Sequence, residues 1–203
     1  METVRRRLLT CLPGLLVRDV VVNDATVSEQ SEAELRALLA GRRVTGLRRR
    51  GKYLIVDLGV PEGVRAAAGP EPASAATRPG AAASLTGRGT SAALPAPSVA
   101  VVHLRMTGQL LFRPEPGDRP PRFVWRLDPD TELQFQDVRR FGRLWAFPPG
   151  AEEAFFAAMG PEPFSPQFSV AYLRGALRGR VAPLKSFLLD QRRIAGVGNI
   201  YAD

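Results

Sequence analysis

The sequence predicts an α+β fold: a β-sandwich or barrel that begins with two helices and is followed by a run of further helices. Three observations lead there. Between Val17 and Phe147 about eight short β-rich segments are separated by turn residues. The segments 2–12 and 31–41 carry the apolar spacing and stop signals of helices. After Pro148-Pro149-Gly150 the apolar period changes to a helical one.

The first helix is predicted over residues 2–12, with Val4, Leu8, Leu9 and Leu12 near one face and Pro13-Gly14 ending it. Val17–Val22 is a strand. Ser31-Glu32-Ala33-Glu34 is a capping box, because a serine and the glutamate three residues on can each satisfy the other's backbone N–H. It opens a helix with Leu35, Leu38 and Leu39 inward. Arg42–Leu47 and Lys52–Leu58 form a hairpin around Arg48-Arg49-Arg50-Gly51, and Tyr53, Ile55 and Asp57 alternate with Leu54, Val56 and Leu58. Residues 61–98 consist mainly of Ala, Gly, Pro, Ser and Thr. Too little large apolar surface is present there to offset ordering entropy, so a disordered insertion between two strands is expected. Strands resume at Val99–Leu104, Gln109–Phe112, Phe123–Leu127, Glu132–Gln136 and Arg143–Phe147. Helices follow at Glu152–Met159, with Phe155, Phe156 and Met159 inward, at Gln167–Leu177, and at Ala182–Gln191, with Leu184, Phe187 and Leu188 inward. Gly196-Val197-Gly198-Asn199 reads as the start of one more.

Composition narrows the partner. Lys+Arg is 28 against Asp+Glu 20, a formal charge of +8, which suits a polyanion and most commonly nucleic acid. Lys52 and Lys185 are the only lysines among these cations. Lysine has a shiftable pKa that arginine lacks, so Lys52 is a candidate chemical group. The single cysteine, Cys11, excludes an internal disulfide and a cysteine-based zinc site, and fits a reducing, cytosolic setting. No apolar run approaches the ~20 residues of a membrane span, and no signal-peptide order is present at the N-terminus.

Four constellations carry candidate chemistry. Arg48-Arg49-Arg50-Gly51-Lys52 crowds cations onto a turn, which calls for a nearby anion. His103-Leu104-Arg105-Met106-Thr107-Gly108 contains the only histidine. Asp137-Val138-Arg139-Arg140-Phe141-Gly142 offers cations and one aromatic wedge, the residue types that enter a base stack. Gly196–Asn199 offers backbone N–H groups at a helix start, which suit phosphate. Taken singly, each has a plain structural alternative: a solvated turn, a satisfied strand histidine, Phe141 folded into the core, or an ordinary glycine turn.

Their order and wording resemble the formamidopyrimidine-DNA glycosylase family. The matching pieces are Glu2–Arg6, Arg49–Leu54, His103–Gly108, Asp137–Gly142, Gly160-Pro161-Glu162-Pro163, Leu184-Lys185 with Leu188–Gln191, and Gly196–Asp203, covering nearly all of the chain outside 61–98. The resemblance implies a β-sandwich flanked by two helices (1–148), then a partial helix–two-turn–helix domain (149–203). It implies a monomeric base-excision repair enzyme that removes oxidised purines, formamidopyrimidine and 8-oxoguanine, from damaged double-stranded DNA in the bacterial cytosol, and nicks the backbone by β- and δ-elimination. An endonuclease VIII-like enzyme for oxidised pyrimidines and a non-catalytic damaged-DNA-binding relative are the alternatives.

Residue by residue, Lys52 resembles the lysine that assists elimination. His103, Arg180 and Asn199 resemble phosphate contacts. Met106, Arg139 and Phe141 resemble the trio that fills the void left by a flipped nucleotide, with Arg139 also a DNA-binding residue. The family's nucleophile is the secondary amine of a proline in Pro-Glu-Leu-Pro-Glu, which would precede Met1, and the adjacent glutamate is its general acid. Met1 stands where valine is common, and one valine codon can start translation, so a start assigned about five codons late is expected. The family's zinc finger lies beyond residue 203, so no cofactor is expected in this chain, and weak DNA binding and poor catalysis are expected of it alone. Pro120-Pro121 stand where the family has a histidine, removing one phosphate contact.

Overall fold

The structure, a computed structural model, describes residues 1–61, 96–115, 117 and 119–203. Its strands are β1 (Leu16–Val22), β2 (Arg42–Arg50), β3 (Tyr53–Gly59), β4 (Ser98–His103), β5 (Gln109–Phe112), β6 (Phe123–Leu127), β7 (Thr131–Gln136) and β8 (Arg143–Phe147). They form one antiparallel sheet in the order β5-β7-β6-β1-β2-β3-β4-β8. Its two four-stranded halves meet where β1 pairs with β2 through only Leu16–Arg43 and Val17–Arg42. Both halves feed one core: Val20, Phe123, Trp125 and Phe135 from the first join Leu54, Val56, Ala100, Val102 and Leu144 from the second. The sheet therefore doubles back on itself as a sandwich.

The helices are α1 (Glu2–Leu9), α2 (Glu32–Leu39), α3 (Glu152–Phe156), α4 (Val170–Leu177), α5 (Leu184–Leu189) and α6 (Asn199–Ala202). The capping box of α2 forms: Glu34 N–H donates to Ser31 Oγ at 3.2 Å and Ser31 N–H to Glu34 Oε2 at 2.8 Å. Leu35 and Leu39 of α2 enter the common core with Leu8 and Leu12 from the N-terminal segment. The alternation in β3 is as expected. Leu54, Val56 and Leu58 face the core, while Tyr53 and Ile55 join Val99, Val101, Trp145, Phe155 and Phe156 on the opposite face. All of β4 is buried because α3 covers that second face.

Several expectations are corrected. Helix α1 stops at Leu9, which is exposed, and a turn carries Leu12 inward. Strand β2 continues through Arg50, so the three arginines lie on a strand and the hairpin turn shrinks to Gly51-Lys52. Pairing with Tyr53–Ile55 gains cross-strand hydrogen bonds that a loop at 48–51 would forgo. The helices after Pro149 are shorter than predicted, and Leu184 is exposed, whereas Phe187 is buried. The expected insertion falls mostly on 62–95, outside the described residues. Ser98, assigned to it, opens β4, is buried, and donates its hydroxyl to Leu38 O at 2.5 Å.

Candidate nucleic-acid interface

The hairpin turn Gly51-Lys52 and the Gly196–Asn199 loop, remote in sequence, lie against each other. Gly51 has φ +55 and Gly196 φ +97, both in the left-handed region that favours glycine. A Cβ on Gly51 would come within 2.8 Å of the Met159 methyl and 3.3 Å of Gly196 N. A Cβ on Gly198 would lie 3.2 Å from Lys52 Nζ. The two glycine motifs thus bring two backbones together and set the lysine beside the start of α6.

Carboxylates hold this joint, and here the sequence expectation needs revision. The anions beside Arg48 and Arg49 belong to the protein. Arg48 pairs with Asp57 at 2.6 Å and with Glu152 at 3.1 Å. Arg49 pairs with Glu162 at 2.5 Å and with Glu2 at 3.4 Å. Arg50 donates to Gly160 O at 2.9 Å. Glu162 also accepts the Gly51 N–H at 2.7 Å, so it anchors the turn that carries Lys52. Gly160 fits because any Cβ would strike the Arg193 carbonyl, 2.4 Å away. Glu162 appeared in the sequence only as part of a resembling motif. Its partners lie more than a hundred positions away, and no local pattern points to them.

A groove of about 340 Å³ opens at this joint, lined by Met1, Lys52, His103, Arg105, Gly198 and Asn199, among others. Burial, then the Arg105 charge, pushes the Lys52 ammonium below its ordinary pKa. Burial, then Arg105 and Lys52, pushes His103 down to about 4. His103 Nδ1 accepts the Arg105 N–H at 3.0 Å, so the neutral ring carries its proton on Nε2. His103 is therefore a neutral N–H donor at pH 7, and Lys52 and Arg105 bring the positive charge. Asn199 opens α6 and donates to Asp203 at 3.2 Å.

Beside the groove, two loops form a second cluster. Met106 is 71% exposed and Phe141 50% exposed. The Arg139 guanidinium lies 5.2 Å from the centre of the Phe141 ring, and its Nη1 is 3.3 Å from Met106 Sδ. The core alternative for Phe141 is thereby excluded, and all three predicted side chains stand together at the surface. Arg105 and Arg140, one in each loop, have φ +56 and +58, backbone strain of the kind that collects at functional loops.

Beneath them lies a buried polar cluster that sequence reading missed. Asp137 accepts the Thr107 hydroxyl, the Gly142 N–H at 2.7 Å and the Arg139 N–H at 3.3 Å. Arg122 Nη1 lies 3.6 Å from Asp137, and Arg122 Nε donates to Asp24 at 2.9 Å. Burial works against the Asp137 charge, but the Thr107 hydroxyl, the two N–H groups and Arg122 hold its carboxyl below the ordinary value.

Arg180 stands apart. It follows α4, donates to Ala176 O at 2.9 Å, lies over the Phe187 ring and does not line the groove. Lys52, His103 and Asn199 share one groove, and Met106, Arg139 and Phe141 share the neighbouring surface. Among the described residues no group of three or more His, Cys, Asp and Glu could hold a metal ion, and no helix is long and apolar enough to cross a membrane.

Comparison with known proteins gives a consistent set of relatives. A family profile described as the formamidopyrimidine-DNA glycosylase N-terminal domain matches residues 1–144, and one described as that family's H2TH domain matches residues 159–203. The chain is 35% identical over 208 residues to the formamidopyrimidine-DNA glycosylase of Moorella thermoacetica, covering 100% of this chain and 63% of the relative. It is 36% identical over 211 residues to that of a Synechococcus species, with the same two coverages. Among solved structures it is similar to Lactococcus lactis Fpg in complex with FAPY-dG-containing DNA, with a TM-score of 0.76 and 25% identity, covering 100% of this chain and 64% of that one. It is likewise similar to the same bacterium's Fpg with abasic-site DNA, at TM-score 0.75 and 25% identity, covering 100% and 62%. The chain thus spans less than two thirds of the length of each of these proteins.

Proposed function

The chain belongs to the formamidopyrimidine-DNA glycosylase family, and from that premise we propose that it is the lesion-reading part of a base-excision repair glycosylase acting on oxidised purines in duplex DNA. The observation that carries this reading is the exposed cluster of Met106, Arg139 and Phe141 beside the Lys52 groove. An enzyme that extrudes a base leaves a gap in the stack and an orphaned partner base. Met106 and Phe141 fill the gap with apolar area, and each base–aromatic stack contributes roughly 1–3 kcal/mol. Arg139 donates to the orphaned base.

The groove receives the strand that carries the lesion. Lys52 assists elimination at the sugar, its amine made easier to deprotonate by burial and Arg105. His103 Nε2–H and Asn199 donate to phosphate oxygens. Arg180 adds a backbone contact outside the groove. The resemblance gives the nucleophile to a proline amine preceding Met1, and Met1 lines the same groove as Lys52, which supports covalent chemistry at that spot. With a single cysteine and a single histidine, the chain's own residues do not fit the family's zinc site, and no step runs through zinc.

Base excision followed by β- and δ-elimination is the activity proposed for the protein that contains this chain. It acts as a monomer on damaged double-stranded DNA in the cytosol. The test is base release and borohydride trapping by that protein on duplexes carrying formamidopyrimidine, 8-oxoguanine or an oxidised pyrimidine. The pyrimidine arm is included because one similar structure is a complex between the L. lactis enzyme and DNA containing an oxidised pyrimidine. Preferential release of the oxidised purines with a trapped adduct is expected. Lesion-selective binding without release would assign the protein to the non-catalytic alternative.

A further inference from the structure

We propose that Asp137 is the positioning residue that couples the Met106 loop to the Arg139–Phe141 loop, so that the three side chains enter a base stack as one unit. The inference rests on the lesion reading above.

The geometry supplies the argument. Asp137 takes a hydroxyl from Thr107, directly after Met106 in one loop. It takes N–H groups from Arg139 and Gly142, which bracket Phe141 in the other. Thr107 Oγ1 itself lies 3.3 Å from the Arg139 N–H, so hydroxyl, carboxylate and amide form a closed set. Behind them, Arg122 bonds Gly142 O at 2.8 Å, Asp24 at 2.9 Å and Thr26 Oγ1 at 2.9 Å, tying both loops to the sandwich floor. Arg140 of the upper loop approaches the same Asp24 at 3.7 Å. Gly142 leaves room for this: a Cβ there would lie 2.3 Å from the Phe135 ring and 3.1 Å from Asp137 Oδ2. A buried ion pair is weak ground for stability alone, since well-packed apolar residues often do as well. Among the described residues, every N–H and hydroxyl that the Asp137 carboxylate accepts belongs to a residue of the two loops bearing the trio, so the pair's effect is to fix where those side chains stand.

The experiment is a double-mutant cycle of Met106→Ala and Arg139→Ala in wild-type and Thr107→Val backgrounds. Fluorescence anisotropy reads affinity for a duplex with a tetrahydrofuran abasic analogue and for the same duplex intact. In the wild-type background the two losses should be non-additive. Thr107→Val should make them additive and lower the preference for the lesion duplex on the order of tenfold, the range for a hydrogen bond to a charged group. Intact-duplex affinity should stay unchanged while the preference for the lesion duplex falls, a split that a merely structural role would not give. Asp137→Asn should act in the same direction, and if it fails to fold, Thr107→Val decides. Unchanged coupling and unchanged preference in Thr107→Val would overturn the role of Asp137 and leave the lesion reading standing. Unchanged preference in Met106→Ala, Arg139→Ala and Phe141→Ala would overturn the lesion reading itself.

Discussion

The chain has one histidine, and its protonation leaves a signature in stability against pH. Unfolded, the ring titrates near 6.5. Folded, burial first, then Arg105 and Lys52, press His103 down to about 4. Between those values the unfolded chain binds a proton that the native chain does not. Stability therefore falls as pH drops from about 6.5 to about 4, and is insensitive to this group above that window. The slope is about 1.4 kcal/mol per pH unit, and the span gives about 3 kcal/mol in all. The perturbation is His103→Gln, which keeps a side-chain N–H donor and removes the titration. Asp24 and Asp137, whose carboxyls are held below their ordinary values, also lose stability at low pH, but they are common to both proteins. Urea unfolding of both at pH 7, 6, 5 and 4.5 isolates the histidine as the difference between the curves. The wild type should lose about 2 kcal/mol more than the variant between pH 7 and 5. Parallel curves would refute the argument, and so would a ring resonance that titrates near 6.5 by NMR in the native state.

Three further outcomes follow from the geometry. Gly51→Ala should destabilise the chain by about 1–2 kcal/mol, because the residue sits at φ +55 against Met159 and Gly196, and should weaken lesion-duplex binding; thermal unfolding and anisotropy check both. Arg180→Ala should flatten the salt dependence of duplex affinity by about 0.9 in the log–log slope, and an unchanged slope would remove Arg180 from the interface. Replacing residues 62–95 with a short Gly/Ser turn should change unfolding free energy by less than ~2 kcal/mol, since Leu58 and Ser98 are register partners and loop closure costs only ~0.6 kcal/mol per doubling of length.

What the sequence reveals here is local. The Ser31–Glu34 box, the alternation in Tyr53–Leu58 and the strand segments rest on spacings of two or three residues, and the structure follows them. Arg139 and Phe141 are recognisable as wedge chemistry and Met106 joins them only through the family resemblance, but their contact with one another depends on two loops that meet through Asp137. The arginine run was misplaced because composition shows charge without showing its partners. Glu152 and Glu162 reach it from more than a hundred residues away. Asp137 showed only as the first residue of the Asp137–Gly142 motif, with no role of its own, and Arg122 gave no signal, since a lone acid before a turn and a lone arginine before a strand look like solvated residues until both are seen buried.

The contact between Gly51 and Gly196 has a consequence for how the groove keeps its size. A Cβ on Gly196 would lie 3.5 Å from Gly51 Cα, so two main chains touch there with no side chain interposed. A gap bounded by side chains breathes as rotamers exchange. A gap bounded by backbone against backbone behaves as a fixed stop, like the closed jaws of a calliper. The separation of the Lys52 main chain from the start of α6 is then set by backbone contact. One methyl group added at Gly51, 3.3 Å from Gly196 N, would act as a shim between the two main chains and change the reach of the donors on the far side together.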